Sequence, residues 1–146
     1  NKFGLPILIF RLFNTFGPRQ TTDYFIPTVI TQALKNKEIE LWSDKPTRDF
    51  NFIDNTVDAL IKGAEVNFVG GPLNIGYGKE INVKDVAEKI AEIYNAKVKF
   101  LNKEVLGSMR LYCDNSKIKR ILKWEPNVTF EEGLKRTLEW YKNNYT

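Results

Sequence analysis

A continuous apolar run near the start of the chain limits the possible folds more than any other feature. Residues 5–10 read Leu-Pro-Ile-Leu-Ile-Phe, so a strand formed here carries apolar side chains on both faces. Such strands are typical of parallel sheets covered by helices on each side, since both faces must be buried. The pattern predicts a strand over 5–13 that needs neighbours at both edges. Because the chain begins with Asn1 and not Met, we expect upstream sequence, with a processed mature protein as the alternative.

Short strands and amphipathic helices alternate along the rest of the chain. Apolar residues recur either at helical spacing or in short runs, and the connections between them are short. This alternation predicts an α/β fold, with residues 1–146 forming a single unit. The predicted helices cover 25–35, 54 or 55 to 64, 83–95, 116–123 and the segment from 130 onward, and the predicted strands cover 39–42, 49–53, 73–75 and 97–101.

Polar residues able to cap a helix precede several of these segments. A side-chain oxygen of Ser, Thr, Asp or Asn can accept a hydrogen bond from a free amide of the first turn. The predicted caps are Asp54 or Asn55, Asn82, Asp114 or Asn115, and Thr129, which opens a capping box with Glu132.

The composition excludes several classes of site. Histidine is absent and Cys113 is the only cysteine, which excludes His-based triads, ordinary zinc sites and an internal disulfide. We therefore predict no metal site and a cytoplasmic protein. The net charge of +4 comes from scattered basic residues, so anionic ligands are favoured and nucleic acid is not. No apolar run reaches the length needed to span a membrane, and we predict no membrane contact.

The first polar constellation follows the predicted strand 5–13 directly. Asn14 stands at the end of the strand, ahead of the turn Gly17-Pro18. Ligands of open α/β sheets bind outside the carboxyl ends of strands, so Asn14 is a candidate contact. The alternative is an Asn that satisfies loop amides.

The second constellation is Arg48-Asp49 at the entrance to a predicted strand and helix. The planar fork of an arginine forms paired, charge-assisted hydrogen bonds, which suits Arg48 to a pyrophosphate. The alternative is a surface arginine paired with Asp49.

Other polar or aromatic segments have structural interpretations. Residues 74–79 lack the third glycine of a dinucleotide-binding loop, since Ile81 stands at its position, and we predict a turn after a strand. Arg110 is expected to form a structural ion pair. The helix dipole explains the acidic residues at helix starts, and core packing explains the large aromatic residues near the end of the chain. These residues are Asp114, Glu131, Glu132, Trp124, Trp140 and Tyr141.

Five segments, which follow one another along essentially the whole chain, together resemble one known family. They resemble the carboxy-terminal half of extended short-chain dehydrogenases/reductases, specifically the NAD-dependent nucleotide-sugar epimerases and 4,6-dehydratases. The segments are Arg11-Leu-Phe-Asn-Thr-Phe-Gly-Pro-Arg-Gln20, Arg48-Asp-Phe-Asn-Phe-Ile-Asp54, Leu73-Asn-Ile-Gly-Tyr-Gly-Lys-Glu-Ile81, Cys113-Asp-Asn-Ser-Lys117, and Trp124-Glu-Pro126 with Glu132-Gly-Leu-Lys-Arg-Thr-Leu-Glu-Trp140.

The resemblance implies the terminal strands of a Rossmann domain followed by a small mixed α/β substrate-binding domain. In such enzymes a tyrosine of a Tyr-x-x-x-Lys pair acts on the sugar 4-hydroxyl while NAD takes the hydride from C4. The 4-keto sugar is then epimerised or dehydrated. Neither that pair nor a glycine loop occurs in this chain. The chain alone is therefore expected to be inactive, with no catalytic residue of its own, and the intact enzyme is expected to be a homodimer.

The resemblance also implies positions that contact a UDP-, dTDP- or GDP-linked sugar. The expected substrate-binding residues are Asn14, Arg48, Trp42, Leu41, Phe25, Pro27 and Arg110, and the expected NAD-side residues are Asn14 and Thr15. Relatives usually carry an Arg-Pro segment that gives a second phosphate contact, where this chain has Leu101-Asn-Lys-Glu-Val-Leu-Gly107. Lys103 or Arg110 is a candidate substitute. The alternative function is a free-standing, non-catalytic module that binds sugar nucleotides or another protein.

Overall fold

The computed structural model describes residues 6–67, 70–105 and 107–145. Strands and helices alternate over most of this range, which confirms the α/β class. The elements are β1 (Phe10–Leu12), β2 (Asn14–Phe16), α1 (Phe25–Asn36), β3 (Glu38–Leu41), β4 (Thr47–Arg48), β5 (Phe50–Phe52), α2 (Ile53–Ala64), β6 (Leu73–Ile75), β7 (Ile81–Asn82), α3 (Val83–Tyr94), β8 (Lys97–Phe100), α4 (Ser116–Leu122) and α5 (Phe130–Asn144).

The strands associate in pairs that join distant parts of the chain. Three pairs are parallel, β1 with β6, β2 with β5 and β3 with β8, while β4 and β7 are antiparallel. The strand predicted over 5–13 starts outside the described residues, and its described part is shorter than predicted. After Phe13, whose amide donates to the Ile75 carbonyl, the chain leaves the side of β6 and runs beside β5.

The main core lies where α1, α3 and α5 cover the strands. Its centre is a cluster of phenylalanines, with Phe16 within 5.5–6.4 Å of the ring centroids of Phe50, Phe52 and Phe130. A second core packs around Trp124, which is fully buried, together with β6 and α4. Tyr141 is also buried and Trp140 partly so, which confirms the packing role predicted for these aromatic residues.

Most predicted helix starts are confirmed. The side chains of Asn82 and Thr129 cap α3 and α5 by accepting from the amides of Lys84 and Glu132. Asp114 accepts from the amide of Ser116 at the start of α4.

The prediction of a cap at Asp54 or Asn55 is wrong. Helix α2 begins after Phe52, without a side-chain cap. Asn55 is fully buried inside the helix, and its oxygen accepts from the amides of Asn127 and Val128 at 3.0 and 2.9 Å. Its side chain therefore joins α2 to the segment that leads into α5.

An apolar surface surrounds β1 and α2. Ile7, Ile9 and Leu12 are 52–53% exposed, and in the described residues β1 has a hydrogen-bonded neighbour at one edge only, β6. Val57, Leu60 and Ile61 of α2 are also exposed. No helix within the described ranges is both long enough and apolar enough to cross a membrane.

Replacing Gly133 with alanine is expected to destabilise the chain. Gly-to-Ala changes inside helices usually stabilise by about 0.5–1 kcal/mol. Here an added Cβ would lie 2.7–2.8 Å from three atoms of the buried Phe52 side chain. Overpacking of this kind costs about 1–3 kcal/mol, so we expect a net loss in the free energy of unfolding measured in urea. The exposed Glu139→Ala variant of the same helix is the control, and a stabilised Gly133→Ala chain would contradict the packing described here.

Candidate functional site

A cavity of about 370 Å³ opens between the first turns of α1, the end of β3 and strand β4. Its size lies within the range of small-molecule sites. Apolar and polar side chains both contribute to its wall. The lining residues are Asp23, Phe25, Thr28, Val29, Gln32, Glu40, Leu41, Trp42, Ser43, Pro46, Arg48, Val83 and Val105.

A smaller pocket of about 70 Å³ adjoins this cavity and shares Phe25 and Arg48 with it. The small pocket reaches Asn14 at the start of β2. The Nδ2 atom of Asn14 is buried and has no hydrogen-bond partner among the described residues. A buried amide donor without a partner lowers the stability of the fold by about 1–3 kcal/mol. Such a cost is consistent with a group whose partner is a bound ligand. Within the part of the chain that the structure describes, no loop amide donates to the Asn14 side chain, which does not support the alternative that Asn14 satisfies loop amides.

Arg48 lies between the cavity and the small pocket and lines both of them. Its NH1 atom donates to the carbonyl of Thr47 at 2.7 Å and to that of Met109 at 3.4 Å. Within the described ranges, its other two nitrogens, Nε and NH2, have no protein partner. One edge of the guanidinium is thus held by backbone, while Nε and NH2 can meet an anion in the paired geometry that arginine favours. The alternative of an ion pair with Asp49 is wrong.

Asp49 instead points into the protein and is fully buried. Its Oδ1 accepts from the amide of Tyr77 at 2.6 Å, and its Oδ2 accepts from those of Gly78 and Cys113 at 2.7 and 3.2 Å. Burial raises the pKa of Asp49, while these backbone hydrogen bonds act in the opposite direction. One carboxyl thus joins β5 to the turn after β6 and to the segment before α4.

Close packing surrounds this carboxyl. A Cβ on Gly76 would lie 2.4 Å from Cβ of Cys113 and 3.1 Å from Oδ1 of Asp49, so the turn after β6 requires glycine there. Burial raises the pKa of the Cys113 thiol to about 12. The thiol stays protonated near neutral pH and is not a nucleophile.

The segment before α4 also runs along β4. We call residues 109–113 the strap. The Thr47 amide donates to the Met109 carbonyl at 2.9 Å, and the Leu111 amide donates to the Thr47 carbonyl at 3.2 Å. Glu80 also links β4 to the strap. Its carboxylate accepts from Thr47 Oγ1 at 2.8 Å and from Nε and NH2 of Arg110 at 2.8 and 2.6 Å. The ion pair expected for Arg110 is thereby confirmed.

The Glu80 carboxyl is expected to titrate near pH 2. The hydrogen bonds from Arg110 and Thr47 lower its pKa from 4.5 to about 2. A carboxylate with a lowered pKa contributes stability above its unfolded value, and that contribution is lost as the pH falls towards the folded value. Carbon-detected NMR of the Glu80 carboxyl should show an ionised group at pH 3.5. A midpoint near 4.5 would contradict this ion pair.

The far wall of the cavity is formed by Leu41 and Trp42. Trp42 is 50% exposed and lines the cavity, so part of its side chain is accessible to a ligand. The carbonyls of Leu41 and Trp42 accept from the amides of Leu101 and Lys103, so each carbonyl oxygen keeps one lone pair. The candidate substitute Lys103 is therefore held beside Trp42 by its backbone.

The remaining predicted residues are placed differently. Phe25 lines both spaces, whereas Pro27 is buried in the first turn of α1 and is not among the lining residues. The Thr15 hydroxyl lies within hydrogen-bond distance of both the Phe13 carbonyl, to which it can donate, and the Thr56 hydroxyl. Arg110 lies along the strap and outside the lining of both spaces. The ligand roles of these residues stay predictions.

Sequence reasoning missed Thr28 and Gln32. Both follow Phe25 on one face of α1, at three and seven residues' distance, and this helical spacing was the signal that could have identified them. The Gln32 Oε1 accepts from the Glu40 amide at 2.9 Å, which fixes the amide plane at the cavity wall. Val105 was also missed, because it lies in an irregular segment with no periodic pattern.

Of the two residues expected on the NAD side, Asn14 has a donor left to contact a ligand and Thr15 is already engaged. The orphaned Asn14 amide is a suitable donor for a cofactor or substrate oxygen, whereas the Thr15 hydroxyl is already bonded. Over the ranges that the structure describes, no group of three or more Cys, Asp or Glu side chains could hold a metal ion.

Comparison with protein families matches residues 1–137 to the family described as GDP-mannose 4,6 dehydratase. A similar curated protein is the trifunctional UDP-glucose 4,6-dehydratase/UDP-4-keto-6-deoxy-D-glucose 3,5-epimerase/UDP-4-keto-L-rhamnose-reductase of Arabidopsis thaliana. It is 32% identical over 98% of this chain and 22% of its own length.

Two solved structures show the same fold. The epimerase Mth375 of Methanothermobacter thermautotrophicus superposes with a TM-score of 0.91 at 29% identity, over 98% of this chain and 45% of that chain. UDP-glucuronic acid 4-epimerase of Bacillus cereus, in complex with UDP-glucuronic acid and NAD, superposes with a TM-score of 0.88 at 28% identity, over 98% and 47% of the two chains. The chain thus spans less than half the length of these proteins.

Proposed function

Because the chain belongs to the GDP-mannose 4,6-dehydratase family, we propose that it is the substrate-binding part of an NAD-dependent nucleotide-sugar epimerase or 4,6-dehydratase. The observation that carries this proposal is the position of Arg48 between the cavity and the small pocket, with two guanidinium nitrogens unengaged in the described residues. The ligand is a nucleoside diphosphate linked to a sugar.

The two spaces suggest how such a ligand lies. The base occupies the cavity between α1 and β3, where Trp42 offers an aromatic face and the fixed Gln32 amide offers a donor. The diphosphate meets Nε and NH2 of Arg48. The sugar extends into the small pocket towards Asn14, whose buried amide gains a partner.

In this proposal the cofactor supplies the chemistry and this chain supplies substrate binding. NAD in an intact enzyme supplies hydride transfer at C4 of the sugar. The residues of this chain bind and orient the sugar nucleotide, and orientation of this kind lowers the entropic part of the barrier. Asn14 is the residue of this chain closest to that reaction in the proposed arrangement. The chain alone binds its ligand and does not convert it.

Titration with UDP, dTDP and GDP, followed by amide NMR shifts, tests the proposal. Shifts should be saturable, concentrated around Arg48 and Trp42, and larger for the matching nucleotide than for its free nucleoside. Inorganic pyrophosphate separates the two parts of the site, since it lacks the base: it should shift the amides around Arg48 and leave those around Trp42 unchanged. The absence of saturable shifts with all three nucleotides at millimolar concentration would refute the proposal.

A further inference from the structure

We propose that Glu80 and Arg110 are positioning residues, which clamp the strap against β4 and thereby hold Arg48 in place for the diphosphate. The inference rests on the proposed function where it concerns the ligand. It gives Arg110 a role different from direct contact with a phosphate.

The first step concerns how the strap is held. Met109, Leu111 and Tyr112 are 36–56% exposed, so the strap gains little from apolar burial. Its end is anchored by the buried Cys113, whose amide donates to Asp49. Its beginning is held to Thr47 by the backbone hydrogen bonds and by the Glu80–Arg110 clamp.

The second step connects the strap to Arg48. The NH1 atom of Arg48 contacts two carbonyls, those of Thr47 and Met109. The same two carbonyls accept the hydrogen bonds that join β4 to the strap. If the strap lifts, Arg48 loses the Met109 carbonyl, and the Thr47 carbonyl loses its bond from Leu111. The orientation of the guanidinium then relaxes.

The third step concerns the geometry of the clamp. Glu80 receives two nitrogens of one guanidinium and also the hydroxyl of Thr47, so it fixes Arg110 to the residue before Arg48. The Arg110 side chain is 77% exposed, yet its Nε and NH2 atoms both donate to the Glu80 carboxylate. A paired contact of this kind gives directional control that a lysine cannot reproduce.

Two interpretations of the pair differ in the sign of one measurement. If Arg110 binds phosphate directly, removing the charge of Glu80 frees Arg110 and makes the site more positive, so UDP binds more tightly. If the pair positions Arg48, Glu80→Gln weakens UDP binding by about three- to tenfold, the loss expected when a charged hydrogen bond is loosened. Glu80→Gln combined with Arg110→Met should weaken binding no more than either change alone.

The experiment measures the UDP dissociation constant and the heteronuclear NOE of the Arg48 guanidinium for wild type, Glu80→Gln and Arg110→Lys. We expect weaker binding and a lower NOE in both variants. Glu132→Gln, which breaks the Arg136 pair on α5, is the matched control and should change neither. Tighter binding or an unchanged Arg48 NOE in Glu80→Gln overturns the inference. If wild type fails to bind UDP, dTDP and GDP, the proposed function fails, while the NOE comparison in the free chain still decides whether the clamp orders Arg48.

Discussion

Replacing Asp49 with alanine is expected to lower the free energy of unfolding by about 3–5 kcal/mol, because several buried amides lose their acceptor together. The amides of Tyr77, Gly78 and Cys113 all donate to this one carboxyl. The turn after β6 has little room to readjust to the loss, since Gly76 is packed against Cys113. Unfolding in urea, followed by tryptophan fluorescence, measures the loss.

The control for this prediction is Asp54→Ala. Asp54 is also an aspartate near β5, but its side chain is 56% exposed and pairs with Arg136 on the surface. Exposed ion pairs contribute about 0–1 kcal/mol, so this variant should remain close to wild type. Equal losses for the two variants would show that Asp49 does not organise the three segments.

Asp49→Asn separates the charge of this group from its shape. Asparagine keeps one acceptor oxygen but places an NH2 group where Oδ1 or Oδ2 of Asp49 now accepts amide hydrogens. We therefore expect Asp49→Asn to be destabilised as well, although less than Asp49→Ala. The buried carboxyl acts here as an acceptor, and a neutral amide of the same size cannot satisfy the same donors.

The parts of the fold predicted correctly from the sequence are those that depend on local patterns. Helix α3 has a capping Asn82 directly before it and an apolar stripe along its length, and both signals lie within the segment itself. Strand β6 was predicted to its residue bounds. Arg48 was predicted from its chemistry as well as from the resemblance, and Leu41, Trp42 and Phe25 from the resemblance alone. The structure brings all four together around one cavity.

The parts that were missed depend on distant partners. Asn55 has the chemistry of a cap, but Asn127 and Val128 bind its oxygen from more than 70 positions away. Asp49 was considered as a partner of its neighbour Arg48, whereas its donors come from two later segments. Strand 5–13 breaks at Phe13 because its neighbour changes from β6 to β5. Local sequence does not contain this information.

Replacing Arg48 with alanine is expected to weaken binding of the matching nucleoside diphosphate by about 10- to 100-fold, which corresponds to the loss of charged hydrogen bonds worth about 1.5–3 kcal/mol. Arg48→Lys should recover only part of this loss. Lysine retains the charge but cannot form the paired contact, and its ammonium cannot keep the Thr47 and Met109 carbonyls while also presenting two donors to a diphosphate. Titration with the nucleotide that gives the largest shifts in wild type measures both effects.

Arg120→Ala is the matched control for overall charge, because Arg120 is an exposed residue of α4 and is not among the residues that line the cavity. It removes the same charge and should change affinity by less than about twofold at physiological salt, where exposed charges are screened over about 8 Å. If Arg48→Ala and Arg120→Ala weaken binding equally, the attraction is a property of the net positive charge and not of a site. If Arg48→Ala alone weakens binding, and Arg48→Lys does not restore it, the contact depends on the fork of the guanidinium. That outcome would also explain why the backbone carbonyls engage NH1 only, since a diphosphate requires the other edge of the guanidinium to remain accessible.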